Sequence, residues 1–260
     1  MINNSRQREI IELISQKGNV TVEELAKTFK VSKMTIRRDL EKLQESNLLQ
    51  RTHGGALVNK VLLHEMAYHE KREENLSVKQ CISKAVLDFL EPKQTIYLDA
   101  GTTTYEVATK IPDLELTIIT NDIRIASHLM LTNNKVIMLG GNVLKETGST
   151  IDENAQKFLR SFNFDLSIIA TSSIDNDMWL CTPDLSRKSI KEIALKRSVK
   201  SILVTDSSKF YRKSLYKIVP IQAFDVIISD IDEKELEGID LQTTEFIPLE
   251  CRVDPGDAND

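Results

Sequence analysis

The segment Asp99-Ala100-Gly101-Thr102-Thr103-Thr104 has the clearest potential for binding chemistry in this sequence. It separates a short apolar run from an amphipathic one, so it is predicted to join a strand to a helix. Glycine allows the backbone to approach a ligand closely. Threonine hydroxyls and the N–H groups at the start of a helix favour an anion. Helix capping with a tight turn explains the same residues, so this segment alone leaves both interpretations open.

Similar polar residues follow four further apolar runs. They are Thr120, Asn121, Gly140, Gly141, Thr171, Ser172, Asp206 and Lys209. In a parallel sheet these loops lie along one edge, where open α/β sheets bind ligands. An edge rich in hydroxyls, amides and glycines, with one lysine, suits a phosphate and a polyol. We therefore predict that these residues bind an effector, together with Asp99, Gly101, Thr102, Thr103 and Thr104.

A second set of residues with potential binding chemistry lies on a helix predicted near the N-terminus. Ile36, Leu40 and Leu43 share one face of that helix. At about 100° per residue Arg38 lies opposite that face, with Arg37 on its flank. Guanidinium groups suit guanine edges and phosphates. The predicted DNA contacts are Ser32, Lys33, Thr35, Arg37, Arg38, Arg51, Thr52 and His53. A helical interaction module with a solvated basic face is the alternative.

The elements around this helix have recognisable signals. Thr21 and Glu24 form a predicted capping box, and Ser32 is a suitable N-cap for the next helix. Two helices joined by a tight turn after an earlier helix are typical of a helix-turn-helix. Two short apolar runs flank Gly54-Gly55, which predicts a β-hairpin after the second helix. That hairpin would be a wing.

The rest of the chain alternates Ile- and Val-rich apolar runs with helical stretches. Apolar runs without alternation are typical of strands covered on both faces. The predicted fold class is therefore α/β, with a mainly parallel sheet. The predicted boundaries are a DNA-binding domain at 1–58, a charge-rich linker helix at 59–78, an α/β sensor domain at 79–250 and a disordered tail at 251–260.

Charge is distributed unevenly in this chain of 260 residues with net charge -5. Residues 1–60 contain 11 Lys and Arg against 7 Asp and Glu, and the remainder contains 23 against 32. This excess of positive charge in residues 1–60 and of negative charge in the remainder predicts a polyanionic partner for residues 1–60 alone. Three widely spaced cysteines, a polar N-terminus and no long apolar run predict a cytoplasmic protein that binds no membrane. No spacing predicts a metal or a cofactor.

The run VSKMTIRRDLEKLQESNLLQRTHGGAL resembles the helix-turn-helix and wing of the DeoR family. LDAGTTT, ITND, LGG and VTDSSKF are similar, in the same order, to the blocks of that family's sensor domain. The resemblance implies a sensor fold like ribose-5-phosphate isomerase and glucosamine-6-phosphate deaminase. It also implies a repressor of a sugar-catabolic operon that a phosphorylated sugar or related metabolite releases from DNA. Arg72, Lys79 and Lys191 match basic positions common in the family, which implies a role near the effector or between domains.

The chain departs from the family pattern at two places. Many members carry Gly-Ala-Asp-Gly after the fourth strand, where this chain has Ala170-Thr171-Ser172-Ser173. Many also carry a glycine where this chain has Asp152. Both changes add side chains to the predicted edge, so they bear on which sugar fits rather than on whether a site exists.

Two other functions compete with a metabolite-controlled regulator. An isomerase or deaminase with an attached DNA-binding domain would need a carboxylate base, for which Asp99, Asp175 and Asp206 are the candidates. The other alternative is a DNA-binding protein whose body only oligomerises. We predict a regulator without catalytic activity, forming a homodimer or homotetramer, because paired recognition helices read successive half-sites about 34 Å apart.

Overall fold

The computed structural model describes residues 6, 9, 10, 13, 19–45, 49–52, 55–58 and 68–250. The chain divides into two compact units, one of Met1–Met66 with Lys213–Leu215 and one of Ala67–Arg212 with Tyr216–Asp260. Several predicted features lie outside the described residues. They are the wing-turn residues His53 and Gly54, linker residues 59–67, and the tail 251–260.

The first unit contains a helix-turn-helix and an antiparallel three-stranded sheet. The helices are α1 (Val22–Thr28) and α2 (Lys33–Glu45), and the strands are β1 (Asn19–Thr21), β2 (Leu49–Thr52) and β3 (Gly55–Val58). The sheet order is β1-β3-β2. The predicted helix pair and hairpin are therefore confirmed. Strand β1 was not predicted, because Asn19 was expected to help end the preceding helix.

Local hydrogen bonds fix where both helices begin. The Thr21 hydroxyl accepts from the Glu24 backbone N–H at 3.2 Å, and a Glu24 carboxylate oxygen accepts from the Thr21 N–H at 2.8 Å. This is the predicted capping box. The Ser32 hydroxyl likewise accepts from the Thr35 N–H at 3.1 Å. Buried apolar side chains then hold α1 against α2; they are Ile10, Val20, Leu25, Ile36, Leu40 and Leu43.

The second unit is built on seven strands. They are β4 (Thr95–Leu98), β5 (Thr117–Thr120), β6 (Lys135–Met138), β9 (Phe164–Ala170), β12 (Ser198–Val204), β14 (Val226–Ser229) and β15 (Glu245–Pro248). All neighbouring pairs are parallel, in the order β15-β14-β12-β9-β4-β5-β6. The helices are α3 (Tyr68–Glu73), α4 (Leu76–Val86), α5 (Thr102–Ala108), α6 (Ile123–Leu129), α7 (Glu153–Leu159) and α8 (Leu185–Lys196).

Helices cover both faces of this sheet, which explains the continuous apolar runs. Successive strand residues point to opposite faces, so Tyr97 packs in a different core from Ile96 and Leu98. Helices α7 and α8 contribute to the Tyr97 core, and α4, α5 and α6 contribute to the other. Both faces of each central strand are therefore apolar, as predicted for a parallel sheet.

The order of the strands creates a reversal beside β4. From β4 the chain moves outward to β5 and β6, and then returns to place β9 on the other side of β4. Open α/β sheets bind ligands at the carboxyl ends of the strands, where the strand order reverses in this way. The loops after β4 and β9 lie at that position. We call this position the switch point.

Some elements differ from the sequence-based expectation. A short antiparallel sheet of β10 (Ser173–Ile174), β11 (Trp179–Thr182) and β13 (Tyr216–Pro220) was not predicted, nor were β15 and the hairpin of β7 (Val143–Leu144) and β8 (Ser149–Thr150). The linker was predicted as one helix. Instead α3 and α4 are separated at Asn75, whose φ of 54° is left-handed and ends a helix.

Candidate DNA interface and effector site

The recognition helix α2 exposes the arginines that the sequence predicted to face DNA. Arg37 and Arg38 are exposed, whereas Ile36 and Leu40 on the opposite face are fully buried. The neighbouring Asp39 is also buried, and its carboxylate pairs with the Arg6 Nε at 2.7 Å. The helix is therefore held from its inner side, and its two arginine side chains are presented to solvent.

Lys33, at the start of the recognition helix, forms an exposed ion pair with Glu23 of α1. The hydrogen bond from Lys33 and then its charge hold the pKa of the Glu23 carboxyl below its usual range. Exposed ion pairs contribute little to stability, so a DNA phosphate can compete for this lysine. Arg51 and Thr52 belong to β2 of the wing.

A buried ion pair closes the switch point. The Lys191 ammonium contacts an Asp99 carboxylate oxygen and also donates to the Ala170 carbonyl at 2.7 Å. The same Asp99 oxygen accepts from the Ala170 N–H at 3.3 Å. Asp99 and Lys191 are 2% and 7% exposed. These contacts join the ends of β4 and β9 to helix α8, so Lys191 belongs to the site that the sequence predicted around Asp99.

The loop after β5 is joined to the same centre. The Tyr97 hydroxyl donates to the Asn121 side-chain oxygen at 3.0 Å, and complete burial raises the pKa of Tyr97. The Asn121 amide in turn donates to the Thr150 carbonyl at 3.1 Å. Thr120 is fully buried, and its hydroxyl accepts from the Asp122 N–H at 3.1 Å. Thr120 and Asn121 therefore shape the loop from within.

The threonine-rich first turn of α5 is largely buried. Thr104 is fully buried and its hydroxyl donates to the Gly101 carbonyl at 3.0 Å, while Thr102 and Thr103 are 9% and 7% exposed. A Cβ atom at Gly101 would lie 3.3 Å from the Thr104 hydroxyl oxygen and 3.4 Å from the Ala170 Cβ. Within the described residues, no side chain caps the first turn of α5. The Thr104 hydroxyl thus maintains the turn between β4 and α5.

Gly141, in the loop after β6, packs closely against the carboxylate of Asp152. Gly141 has a φ of 128°, and a Cβ atom there would lie 2.3 Å from an Asp152 carboxylate oxygen. Asp152 caps α7 by accepting from the Ala155 N–H at 3.0 Å, and it also accepts from the Asn142 N–H at 2.9 Å. These hydrogen bonds lower the pKa of Asp152. Its charge therefore holds the loop containing Gly140 and Gly141.

Lys209 is already paired with carboxylates of its own chain. Its ammonium lies 3.1 Å from a Glu74 oxygen and 3.8 Å from an Asp206 oxygen. Asp206 is 1% exposed and accepts from the Asn75 amide at 3.0 Å through its other oxygen. Lys79 is also buried and donates to the Lys71 and Glu74 carbonyls. Burial lowers the pKa of Lys79.

Arg72 and the loop after β9 complete the predicted set. The Arg72 guanidinium lies 3.8 Å from a carboxylate oxygen of the buried Glu106 and 4.9 Å from the centre of the Tyr105 ring. The Thr171 hydroxyl donates to the Ser173 carbonyl at 3.0 Å, and Ser172 is partly exposed. Arg72 thus contacts α5, the helix whose first turn contains the three threonines.

The predicted effector residues lie along one edge but do not all meet. The loop with Lys209 follows β12 and the loop with Gly141 follows β6, four strand spacings apart, or about 19 Å at about 4.8 Å per strand. One small ligand does not span that distance. The residues around β4, β5 and β9 form the central group, and those after β6 and β12 lie on either side of it.

The structure adds residues that sequence analysis did not include. Glu74 and Asn75 contact the loop after β12, and Arg124, Thr147 and Arg187 lie near the loop after β5. Arg187 lies four residues before Lys191 on α8, so helical spacing was a usable signal. No sequence signal marks Glu74 or Thr147, because their contacts depend on the tertiary fold.

Asp122 carries a buried carboxyl group with a testable pH dependence. Burial raises the pKa of Asp122 to about 6 from 3.8. Among described atoms, its Oδ2 has no hydrogen-bond partner, and its Oδ1 accepts from Arg124 N–H at 2.8 Å. The folded state therefore binds the proton more tightly than the unfolded state, and stability falls as pH rises from about 4 to 6.

We expect Asp122→Asn to remove this loss, which amounts to about 3 kcal/mol at about 1.36 kcal/mol per pKa unit. Asparagine also caps helices, so the helix start is preserved. Urea unfolding at pH 4 and pH 7 measures the difference between the variant and the wild type. Asp184→Asn, at the partly exposed N-cap of α8, is the control. If both variants change the pH dependence of the unfolding free energy equally, the raised pKa is not specific to Asp122.

Neither unit contains a described helix long and apolar enough to cross a membrane. Within the same residues, no cluster of three or more His, Cys, Asp or Glu side chains could hold a metal ion. Cys81 and Cys181 are free thiols.

The fold defines a winged helix-turn-helix regulator with a second, larger α/β domain. Residues 6–61 match the DeoR-like helix-turn-helix domain, and residues 74–231 match the DeoR C-terminal sensor domain. The chain belongs to the DeoR family of transcriptional regulators, as its sequence motifs indicated.

Relatives with assigned names are similar over nearly their whole length. The HTH-type transcriptional regulator GlpR of Haloferax volcanii is 35% identical, covering 88% of this chain and 91% of the relative. The glycerol-3-phosphate regulon repressor of Escherichia coli is 33% identical, covering 86% and 90%. Among solved structures, ribose 5-phosphate isomerase A of Methanocaldococcus jannaschii is 12% identical with a TM-score of 0.39, covering 53% of this chain and 55% of that one.

Proposed function

We propose that this protein represses a sugar-catabolic operon and is released from its operator by a phosphorylated sugar or related metabolite. Residues 1–58 bind DNA, 59–78 form the linker and 79–250 form the sensor. The observation that carries the proposal is the exposure of Arg37 and Arg38 on a helix whose opposite face forms the domain core. A recognition helix needs this arrangement to place side chains in the major groove.

The switch point supports an effector site in the sensor. Gly101 leaves space beside Ala170, and the loops after β4, β5 and β9 bring hydroxyl and amide groups around the buried Asp99–Lys191 pair. A small number of fixed polar groups in a crevice is typical of metabolite sites. The names of relatives, which include a glycerol-3-phosphate regulon repressor, favour a phosphorylated effector.

Helix α3 connects the linker, of which it is part, to the effector site. Near its start, the Tyr68 ring lies 3.8 Å from the Arg124 guanidinium and packs edge-on against Tyr105, 6.5 Å between centres. Beyond its end, Glu74 pairs with Lys209. The helix is thus held at both ends by elements of the effector edge. Because α3 is itself part of the linker, residues 59–78, a change in these contacts acts on the linker directly.

Control of DNA binding then follows from linkage. An effector that binds one arrangement of the chain more tightly shifts the population toward it. In a homodimer or homotetramer, two recognition helices must lie about 34 Å apart to reach successive half-sites. If the effector-bound arrangement changes the distance between the two recognition helices, both can no longer bind the operator together. A small movement therefore has a large effect on operator affinity.

Selection from a pool of random duplexes tests the DNA-binding part directly. We expect one enriched motif, with an affinity that falls with salt by a log–log slope of about -0.9 per phosphate contacted. A protein that enriches no motif, or binds it independently of salt, would contradict the proposal.

Gly101→Val is expected to separate the two functions. The added methyl groups fill the space beside Thr104 and Ala170, so the variant should lose its response to the effector and keep its operator affinity. A sugar-phosphate panel in a thermal-unfolding assay identifies the effector, since a ligand at about 100 times its Kd stabilises the fold by about 2.7 kcal/mol. Gly101→Val protein should show no such stabilisation by the effector. Thr243→Val, which introduces the same side chain at an exposed position, provides the control. A normal effector response in Gly101→Val would refute the location of the site.

The carboxylates considered for catalysis are mostly engaged. Asp99 is paired with Lys191, and Asp175 lies 2.8 Å from the Lys217 ammonium. A general base must be free to accept a proton from the substrate. We therefore propose no catalytic activity. Turnover of ribose 5-phosphate by the pure protein would reverse this.

A further inference from the structure

Two arginine side chains from opposite faces of the parallel sheet converge on one threonine. Arg124 donates through Nη1 to the Thr147 carbonyl at 2.6 Å, and Arg187 donates through Nη2 to the Thr147 hydroxyl at 3.3 Å. Arg124 lies in α6 and Arg187 in α8. These helices pack on opposite faces, so their guanidinium groups meet beyond the edge of the sheet.

This convergence lies beside the switch point, on the side of β5 and β6. Arg187 is four residues before Lys191 and shares its helix face, and Lys191 is bound to Asp99 at the end of β4. Arg124 follows the loop after β5, the strand next to β4. Both arginines therefore lie beside the crevice where open α/β sheets bind ligands, on its β5 side, whereas Lys209 follows β12 on the other side.

The other cations at the edge are compensated by carboxylates. Lys191 is paired with Asp99, and Lys209 with Glu74 and Asp206. In contrast, Arg124 forms no ion pair with a carboxylate in the described part of the chain. Its contacts are the Tyr68 ring and the Thr147 carbonyl. These direct contacts are neutral, and the nearby Asp122 carboxyl interacts with Arg124 through its charge without forming an ion pair, so the guanidinium keeps N–H donors for an anion.

Gly148 provides a second, independent observation. Its φ is 67°, and a Cβ atom there would lie 2.2 Å from the Arg124 Nη1 and 3.0 Å from its Cζ. The turn between β7 and β8 is held in place because Gly148 accepts from the Ile123 N–H at 2.9 Å and Thr150 donates to Asn121 at 2.8 Å. The backbone of this turn is thus shaped around the Arg124 guanidinium.

We propose that Arg124 and Arg187 form the phosphate subsite of the effector. The proposal rests on the proposed function, since it assumes that the effector carries a phosphate. Guanidinium groups bind phosphate oxygens through paired N–H donors. The two oxygens of Thr147 already occupy one donor of each arginine and fix the orientation of both groups.

Titration of the full-length protein with inorganic phosphate, followed by 31P NMR, tests this assignment. We expect wild-type protein to bind phosphate at millimolar concentrations. Arg124→Gln and Arg187→Gln should each weaken binding about tenfold to a hundredfold, as expected for loss of a charge-assisted hydrogen bond. Arg160→Gln, which removes an exposed arginine at the C-terminal end of α7, should leave binding unchanged.

Arg124→Lys and Arg187→Lys serve as controls for misfolding in the glutamine variants. They retain the positive charge but lose the paired N–H donors, so we expect phosphate binding of intermediate strength. Gly148→Ala should weaken phosphate binding without removing any charge. If Lys209→Gln abolishes phosphate binding and both Arg→Gln variants retain it, the subsite is wrong and the regulator proposal stands. Wild-type protein that binds no phosphate also overturns the subsite. Failure to bind any DNA motif would instead overturn the regulator proposal.

Discussion

Arg38→Ala is expected to reduce operator-binding free energy by about 2–6 kcal/mol in a dimer. A well-placed arginine contact to DNA contributes about 1–3 kcal/mol, and a dimer loses it at both half-sites. Arg38 lies opposite the buried Ile36 and Leu40, so its removal leaves the domain core intact. If Arg38 contacts phosphate rather than a base, the loss will be uniform across sequences and the salt slope will fall by about 1 per contact.

Fluorescence anisotropy with the selected operator, at several salt concentrations, measures this effect. Arg160→Ala removes an exposed arginine in the sensor and is the matched control for the loss of charge. Arg37→Ala tests the flank of the same helix face and should have a smaller or equal effect. An Arg38→Ala protein with wild-type affinity and an unchanged salt slope would show that this face of α2 does not contact DNA.

Lys191→Met is expected to destabilise the protein by about 3–5 kcal/mol. Removing one partner of a buried ion pair leaves the other charge buried without compensation. Lys191 also holds the Ala170 carbonyl at 2.7 Å, so its loss loosens the ends of β4 and β9. Denaturant unfolding, followed by circular dichroism, measures the change.

A surface pair on the same helix provides the control. Lys188 lies 3.7 Å from Glu192 with both side chains about one-third exposed, and such pairs contribute about 0.3–0.5 kcal/mol. Lys188→Met should therefore have a small effect. Combining Lys191→Met with Asp99→Asn should recover part of the stability, because no unpaired charge remains. If the two lysine variants lose equal stability, the buried pair does not maintain the switch point.

Local sequence signals predicted the DNA-binding unit well. The capping box of Thr21 and Glu24 and the spacing of Ile36, Leu40 and Leu43 depend on residues within one or two helical turns, so sequence alone reveals them. Strand β1 was missed for the opposite reason. Asn19 pairs with Leu57 of β3, and this distant pairing overrides the local preference of asparagine for a helix end.

The sensor fold could also be predicted, because strands covered on both faces leave continuous apolar runs. The polar residues after those runs lie at one edge as a direct consequence of parallel pairing. Strand β15 was missed since it lies at the edge of the sheet, and its residues are only partly buried. It therefore lacks the apolar pattern of the central strands.

The contacts within the site were not predictable in the same way. Asp99 and Lys191 are 92 residues apart, and Glu74 and Lys209 are 135 apart. No periodic pattern links residues at such separations. The sequence also suggested Lys209 as a contact for either the phosphate or a sugar hydroxyl. The structure pairs it with Glu74 and leaves Arg124 without an ion-pair partner among the described carboxylates.

The most direct test is a titration of the preformed protein–operator complex with sugar phosphates and, in parallel, with the same sugars lacking the phosphate. If a phosphate-bearing metabolite bound at the carboxyl edge of the sensor sheet controls the recognition helix, one phosphorylated compound will weaken operator binding at least about tenfold, a coupling of about 1.4 kcal/mol, and its unphosphorylated counterpart will have no effect. An operator affinity that no phosphorylated compound changes, or that both forms of a sugar change equally, would contradict the account.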